Sequence, residues 1–364
     1  MGDFSQNGIV STLHDFGTKS TTEIEKDLLN FSKERKMELI LPCLYSELEG
    51  SALPNIVDQI SKTKYLNHVI IGLDKASENQ AKKAWKFFKK INVPFTILWN
   101  DGPKLKKLDS ELKKKNLAPN QMGKGRNVWY CIGMCIARDT ARSVALHDCD
   151  IKTYDRRMLA KLFYPVVNPL FNFEFCKGYY PRIANNKMNG RVARLLVGPL
   201  LTALEKTIGQ SDYLNFMKSF KYPLAGEFSF RRNVLPELRI SSDWGIEVGI
   251  LSEMQRSFSP NNICQVDLAD TYDHKHQDLS IDDETKGLSK MSIDIIKTFI
   301  KKLATQGNSF SRETFRSLKA TYYRSALDLI DIYRSDAAMN GLKFDSHKEE
   351  EAVELFAVNI MKAG

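Results

Sequence analysis

The chain has 364 residues, 43% of them apolar, and 53 Lys+Arg against 44 Asp+Glu give a formal net charge of +9. At roughly 100 to 200 residues per domain, this length holds two globular domains or one large domain with an appendage. The apolar content excludes a disordered or fibrous chain. Its longest apolar stretches, such as Val128 to Ala137 and Leu195 to Leu204, fall far short of the roughly 20 residues of a spanning helix, so membrane insertion is not expected.

The opening MGDFSQNGIV carries Asp3 and lacks the basic-then-apolar pattern of a secretory signal. The first 20 residues read as loose. Thr22-Glu23-Ile24-Glu25 reads as a capping box opening a short amphipathic helix to about Lys36. Strand-like and helix-like segments then alternate. Met37 to Leu44 is a strand and Asn55 to Lys64 a helix; Val69 to Leu73 is a strand and Ala76 to Ile91 a helix; Pro94 to Trp99 is a strand, Gly125 to Asp139 a helix and Ser143 to Leu146 a strand.

Strands that are continuously apolar, alternating with helices, predict an α/β fold with a doubly wound parallel sheet. In such sheets ligands bind beyond the carboxyl ends of the strands, where strand order switches. The tips after Leu44, Leu73, Trp99 and Leu146 are therefore the candidate rim. Beyond Glu284, segments around Met291 to Ala304, Ser311 to Arg334 and His347 to Met361 have helical spacing, with Gly307 and Gly341 as punctuation.

Six cysteines (Cys43, Cys131, Cys135, Cys149, Cys176 and Cys264) form no C-x-x-C pair. Buried thiols in a reducing, cytoplasmic compartment are expected rather than a disulfide framework or a zinc site. The positive charge is regional: Ala81 to Arg126 holds thirteen Lys/Arg against three acids, a balance of +10, and the rest of the chain sums to −1. That region reads either as a solvated helix face plus a lysine-rich loop, or as the neighbourhood of an anionic ligand or nucleic acid. Trp85, Phe87 and Phe88 within it read as the buried face of a helix, which weighs against nucleic acid.

The first strand tip, Pro42-Cys43-Leu44-Tyr45-Ser46-Glu47, has no glycine until Gly50, so it is not a G-x-G-x-x-G dinucleotide site; no P-loop is present either. The fourth strand ends in His147-Asp148-Cys149-Asp150, the single Asp-x-Asp of the chain. Two carboxylates so spaced can divide the work between a divalent cation and a sugar hydroxyl, or can simply cap a turn. In Asp273-His274-Lys275-His276, one imidazole can complete a metal site with Asp150, or the segment can be a solvated loop. In Asn189-Gly190-Arg191-Val192-Ala193-Arg194, an Arg can fork onto a phosphate, or the segment can start a helix with an exposed Arg. Glu227 and Glu247 each follow a small-residue turn.

Taken in order, LPCL, IGLD, Gly123-Lys124-Gly125, DCD, KGYYPR, NGRVARLLVGPL, PLAGEFSFRR, DWGIEVGIL and QVDLADTYDHKH resemble the glucosyl-3-phosphoglycerate synthases. These are retaining glycosyltransferases of the GT-A fold, related to enzymes that transfer mannose. The resemblance runs from about Met37 to Asp278. With the readings above it divides the chain into an N-terminal tail and helix over 1–36, a GT-A catalytic domain over 37–284, and a helical C-terminal extension over 285–364. Within the catalytic domain a nucleotide half ends near 150 and an acceptor half follows. Magnesium or manganese is the implied cofactor, and a homodimer the implied assembly.

By the same resemblance Pro42, Cys43, Leu44, Glu47 and Asp74 hold the nucleotide, although Tyr45 and Ser46 depart from the usual Asn-Glu. Lys124 contacts the diphosphate, Asp148, Cys149 and Asp150 form the Asp-x-Asp, and Asp150 and His274 ligate the metal. Gly190, Arg191, Val192 and Ala193 form the acceptor-phosphate loop, with Ala193 replacing a usual Thr. His276 stands where an acceptor-contacting Asn is usual, and Trp244, Gly245, Ile246 and Glu247 line the sugar and acceptor. Catalysis then rests on Glu247, Asp150 and Lys124. The implied reaction is glucosyl transfer from UDP-glucose to the 2-hydroxyl of 3-phosphoglycerate. One alternative is mannosyl transfer from GDP-mannose to 3-phosphoglycerate or glycerate; another is a non-enzymatic anion- or RNA-binding protein.

Overall fold

Strands apolar on both faces need cover on both faces, and the fold follows from that demand. The computed structural model describes residues 6, 8–119, 121–274, 283 and 286–364. Along the first half run β1 (Ser11–Leu13), α1 (Thr21–Phe31), β2 (Met37–Leu44), α2 (Ala52–Ser61), β3 (Leu66–Asp74), α3 (Glu78–Phe88), β4 (Phe95–Trp99), α4 (Pro103–Lys114), α5 (Lys124–Arg138) and β5 (Ser143–Leu146). There follow α6 (Arg156–Val167), β6 (Phe175–Tyr179), a small hairpin of β7 (Ile183–Ala184) and β8 (Lys187–Met188), α7 (Gly198–Ile208), α8 (Asp212–Lys218), β9 (Phe228–Arg231), α9 (Ile246–Ser257) and β10 (Ile263–Asp267). Three helices close the chain: α10 (Gly287–Thr305), α11 (Arg312–Met339) and α12 (Ser346–Ala363).

Eight strands form one sheet in the order β1-β10-β6-β9-β5-β2-β3-β4. Its pairings are parallel except those of β9, which runs antiparallel to β5 and β6. The chain leaves β2 for β3 and β4 on one side and returns to β5 on the other. The switch point therefore lies beyond the carboxyl ends of β2 and β5.

Alternation along each strand feeds two cores. Leu39, Leu41 and Cys43 of β2 belong to the core that also takes in residues of α1, α2, α3 and α6, whereas Ile40 belongs to the one that takes in residues of α5 and the C-terminal helices. Ile295, Phe299, Tyr322, Val353 and Phe356 of α10–α12 belong to the same core as Leu200 of α7 and Val248 of α9. Between β8 and α7 the chain winds as a π-helical segment, Val192–Val197. There the buried Tyr322 Oη donates to the Leu195 carbonyl at 2.6 Å.

Four local expectations change. Within the described part of the opening segment, Ser11–Leu13 adds an edge strand, and Asp15 accepts from Arg157 and Lys161, both at 2.8 Å, rather than lying loose. Arg157 first, then Lys161, outweighs burial and holds the Asp15 carboxyl well below the usual range. The capping box of α1 sits two residues earlier than read, with Ser20 and Glu23 exchanging the bonds. The lysine-rich segment is the helix α4, started by Pro103 and anchored by buried Asp109, which takes bonds from Arg126 at 3.0 Å, Lys113 at 2.8 Å and Tyr130 at 2.5 Å. Trp85 is 50% exposed rather than buried, because Ala84 and Phe88 carry the inner face of α3. Lys89 lies over its ring at 4.0 Å.

Tyr322→Phe leaves the Leu195 carbonyl without its buried donor and is expected to lower stability by about 1–2 kcal/mol. Urea unfolding reads this as a lower midpoint at unchanged slope; an unchanged midpoint would show that the bond contributes nothing.

Candidate active site

Beyond the switch point the backbone brings together residues from six segments. Lys124 opens α5, and its Nζ lies 2.7 Å from Asp148 Oδ1, 2.9 Å from Asp148 Oδ2 and 2.9 Å from Glu247 Oε1. Asp148 follows β5, and Glu247 sits in the first turn of α9. Burial works against the Lys124 ammonium, but the two carboxylates more than offset it and hold its pKa above the ordinary lysine range. Burial likewise opposes ionised Asp148, and Lys124 keeps that carboxyl below its usual value.

Two glycines make this convergence possible. A Cβ on Gly125 would stand 1.9 Å from the Ser241 carbonyl oxygen, so only glycine lets the segment before α9 cross the start of α5. A Cβ on Gly226 would stand 2.2 Å from Asp148 Oδ2, so the turn before Glu227 can close on the Asp-x-Asp. Glu227 itself is buried and accepts from Tyr180 Oη at 2.5 Å and Tyr272 Oη at 2.9 Å. The two tyrosine rings stack with centroids 3.6 Å apart. This network fixes the strand end that carries His274.

His274 pairs with Ile151 through an antiparallel bridge, which sets its Nδ1 3.7 Å from Asp150 Oδ2. Burial first, then the charge of Asp148, pushes the Asp150 carboxyl up to about 7. An oxygen and a nitrogen donor at this separation fit one hard divalent ion at about 2.1 Å from each. Among the described residues no group of three or more His, Cys, Asp or Glu surrounds a common point, so the pair leaves coordination positions for ligand oxygens. His147, in contrast, is wholly buried, and burial pushes its pKa down to about 3, which makes it a neutral core residue.

A cavity of about 740 Å³ opens from Lys124, Asp148, Glu247 and His274 towards Gly190, Arg191, Val192, Ala193 and Trp244. Pro42, Cys43, Leu44, Glu47, Asp74 and Asp150 belong to the same carboxyl-end rim: Leu44 and Asp74 are register partners, and the Asp150 segment follows β5. Several residues named from the sequence turn their side chains inward. Cys43, Cys149 and Ile246 are buried in the cores, and Val192 nearly so, which leaves chiefly their backbone to a ligand. Gly245 caps α9, its N–H donating to Asp243 at 2.8 Å. His276 lies outside the described residues.

Sequence reasoning misses the C-terminal wall of this cavity, formed by Lys343, Phe344, Lys348 and Glu349. Glu349 bonds Arg191 across 158 residues of chain, and no local signal announces such a partner. It also misses Arg182, which Tyr222 Oη accepts at 3.1 Å, and the fully buried Lys177 behind Glu247.

Sheet order and rim chemistry together are those of the GT-A class of nucleotide-sugar glycosyltransferases. Over its full length the chain is 43% identical to glucosyl-3-phosphoglycerate synthase from Persephonella marina and 38% identical to that from Methanococcoides burtonii, covering 90% and 89% of those proteins. It belongs to the glucosyl-3-phosphoglycerate synthase family. Solved structures of glucosyl-3-phosphoglycerate synthase from Mycobacterium tuberculosis share its fold at 20% identity and a TM-score of 0.57. One, with phosphoglyceric acid, is matched over 81% of this chain and 88% of its own. Another, with Mn2+, UDP-glucose and phosphoglyceric acid, is matched over 80% and 87%. No family model matches the chain. Among the described residues no helix is long and apolar enough to cross a membrane.

Burial pushes the Lys177 ammonium down to about 8, against the opposing charges of Glu247 and Glu227, while its Nζ donates to the Ala225 carbonyl at 2.6 Å. Between that value and the ordinary 10.5 the unfolded chain holds this proton and the folded chain does not, so Lys177 becomes less unfavourable as pH rises. Measured by urea unfolding, the stability of wild type relative to Lys177→Met is expected to rise by about 2 to 3 kcal/mol between about pH 7.5 and about pH 10. A pH-independent difference would show that the ammonium carries no burial penalty.

Proposed function

We propose that the chain transfers glucose from UDP-glucose to the 2-hydroxyl of 3-phosphoglycerate with retention at the anomeric carbon, giving glucosyl-3-phosphoglycerate for glucosylglycerate synthesis. The observation that carries this reading is the meeting, on one cleft, of the Lys124 clasp, the Asp150 and His274 pair, and Arg191. The family and the fold support it. The nucleotide half is taken as 37–150 and the acceptor half as 151–284.

Asp150 and His274 would hold a divalent cation, magnesium or manganese, and when bound it supplies positive charge to the diphosphate. Lys124 offers a second, fixed positive charge that Asp148 and Glu247 aim. Charge grows on the diphosphate as the sugar bond breaks, so an ammonium fixed in advance stabilises the transition state more than the ground state. Asp148 takes a sugar or ribose hydroxyl. Asp74, Glu47 and the Pro42-Cys43-Leu44 backbone hold the nucleoside; Trp244 and Glu247 line the sugar, with Glu247 orienting the acceptor hydroxyl. Gly190, Arg191, Val192 and Ala193 receive the acceptor phosphate. The anomeric carbon becomes oxocarbenium-like, and the departing phosphate takes the proton of the hydroxyl that enters on the same face. No side chain then needs to form a covalent adduct.

Six unpaired thiols fit a reducing, cytoplasmic setting. A homodimer belongs to the same proposal, and light scattering on the intact chain tests it.

Incubation with magnesium, UDP-glucose and 3-phosphoglycerate is expected to release UDP. A donor panel that includes GDP-mannose tests the sugar, and turnover with GDP-mannose alone would overturn the glucosyl assignment. His274→Ala is expected to abolish metal-dependent turnover. Retained turnover would move the ligand elsewhere. Trapping of a sugar on Glu227 or Glu247 would overturn the same-face route.

A further inference from the structure

The cavity that takes the acceptor is closed by a segment from the far end of the chain. Lys343 N–H donates to the Asn186 carbonyl at 2.7 Å, docking the turn between α11 and α12 onto the β7–β8 hairpin. One turn into α12, Glu349 is 4% exposed, and its carboxylate is shared between Arg191 and Arg194, at the start of the π-helical segment that precedes α7. Oε1 accepts from Arg191 Nε at 2.8 Å and Oε2 from Arg194 Nη2 at 2.8 Å. Arg194 is turned away from acceptor chemistry: its Nε donates to the Asn189 carbonyl at 2.9 Å, and its guanidinium lies over the Tyr333 ring at 4.8 Å.

Arg191 is held differently. Glu349 grips it by Nε, its side chain is 31% exposed, and it lines the cavity. A guanidinium anchored through Nε keeps both terminal nitrogens for a second anion, and a phosphate is the anion such a fork fits best. Without the carboxylate, two arginine charges three residues apart would repel, and Arg191 would be free to swing. We infer that Glu349 is a positioning residue, which presents the Nη edge of Arg191 to the phosphate of the acceptor and so couples the C-terminal helix to acceptor selection. This rests on the reading of Arg191 as the phosphate-binding residue.

The test measures KM for 3-phosphoglycerate and for UDP-glucose, kcat, the unfolding midpoint, and the preference for 3-phosphoglycerate over glycerate in Arg191→Ala, Glu349→Gln and the double variant. Arg191→Ala is expected to raise the acceptor KM selectively. Glu349→Gln is expected to raise it about tenfold, the loss of one charged hydrogen bond, with the donor KM unchanged and turnover of glycerate unaffected. In the double variant the loss equals that of Arg191→Ala alone, since both act through one guanidinium. Glu349→Asp, which keeps the charge, recovers part of the phosphate preference and serves if Glu349→Gln fails to fold. If Arg191→Ala moves the acceptor KM and the Glu349 variants do not, or if Glu349→Gln lowers that KM because the carboxylate competes with the phosphate, this inference is overturned while the site reading stands. Equal rises in both KM values with a lowered unfolding midpoint would show a structural role and overturn it too. An acceptor KM unmoved in Arg191→Ala overturns the phosphate-loop reading itself.

Discussion

One half-buried ammonium, that of Lys124, organises the site. Lys124 bonds Asp148 from the end of β5 and Glu247 from the start of α9, and it holds the Asp148 carboxyl below its usual range against the cost of burial. Each of the three groups is costly to bury alone and tolerable only in the company of the others. That mutual dependence fixes the distance between the two halves of the rim. It also explains why glycine is required at 125 and 226, where backbones must close on the clasp.

The same constraint explains how chemistry and architecture fit together. An ammonium already held by carboxylates is oriented in advance, so in the proposed reaction it would meet a diphosphate with little further rearrangement. Lys124 acts on the neighbouring Asp150 only at a distance, and burial, then the Asp148 charge, outweighs it and lifts the Asp150 pKa to about 7. Two aspartates one residue apart thus live in opposite electrostatic surroundings. One is paired with an ammonium of the protein itself, and the other is the residue proposed to hold the cation.

Much of this was legible in the sequence because it is written locally. Ser143–Leu146 forms the strand read from its apolar run, and the Asp-x-Asp stands at its tip as expected. Lys124 stands in the Gly-Lys-Gly through which the chain resembles its family. What escaped is non-local or depends on solvation. The high lysine density of α4 hid the single buried anchor, Asp109, that makes it a helix against the core. Trp85 looked like core, but it lies on the shoulder of α3, half exposed, with the Lys89 ammonium over its ring. Arg191 looked like a free phosphate ligand or an exposed helix start; Glu349, which holds it, lies 158 residues further on and obeys no spacing rule.

The edge strand β1 carries a consequence for how the molecule is made. Ser11, Thr12 and Leu13 are register partners of Cys264, Gln265 and Val266, and the Gln265 amide donates to Thr12 Oγ1 at 2.9 Å across 253 residues. A chain synthesised from its N-terminus produces this strand first and its partner long afterwards. Throughout most of translation β1 has no edge to join, while β2, β3, β4 and β5 can assemble among themselves. The β2–β5 side of the sheet can therefore form early on the ribosome, whereas the opposite edge is sealed only after most of the polypeptide has emerged.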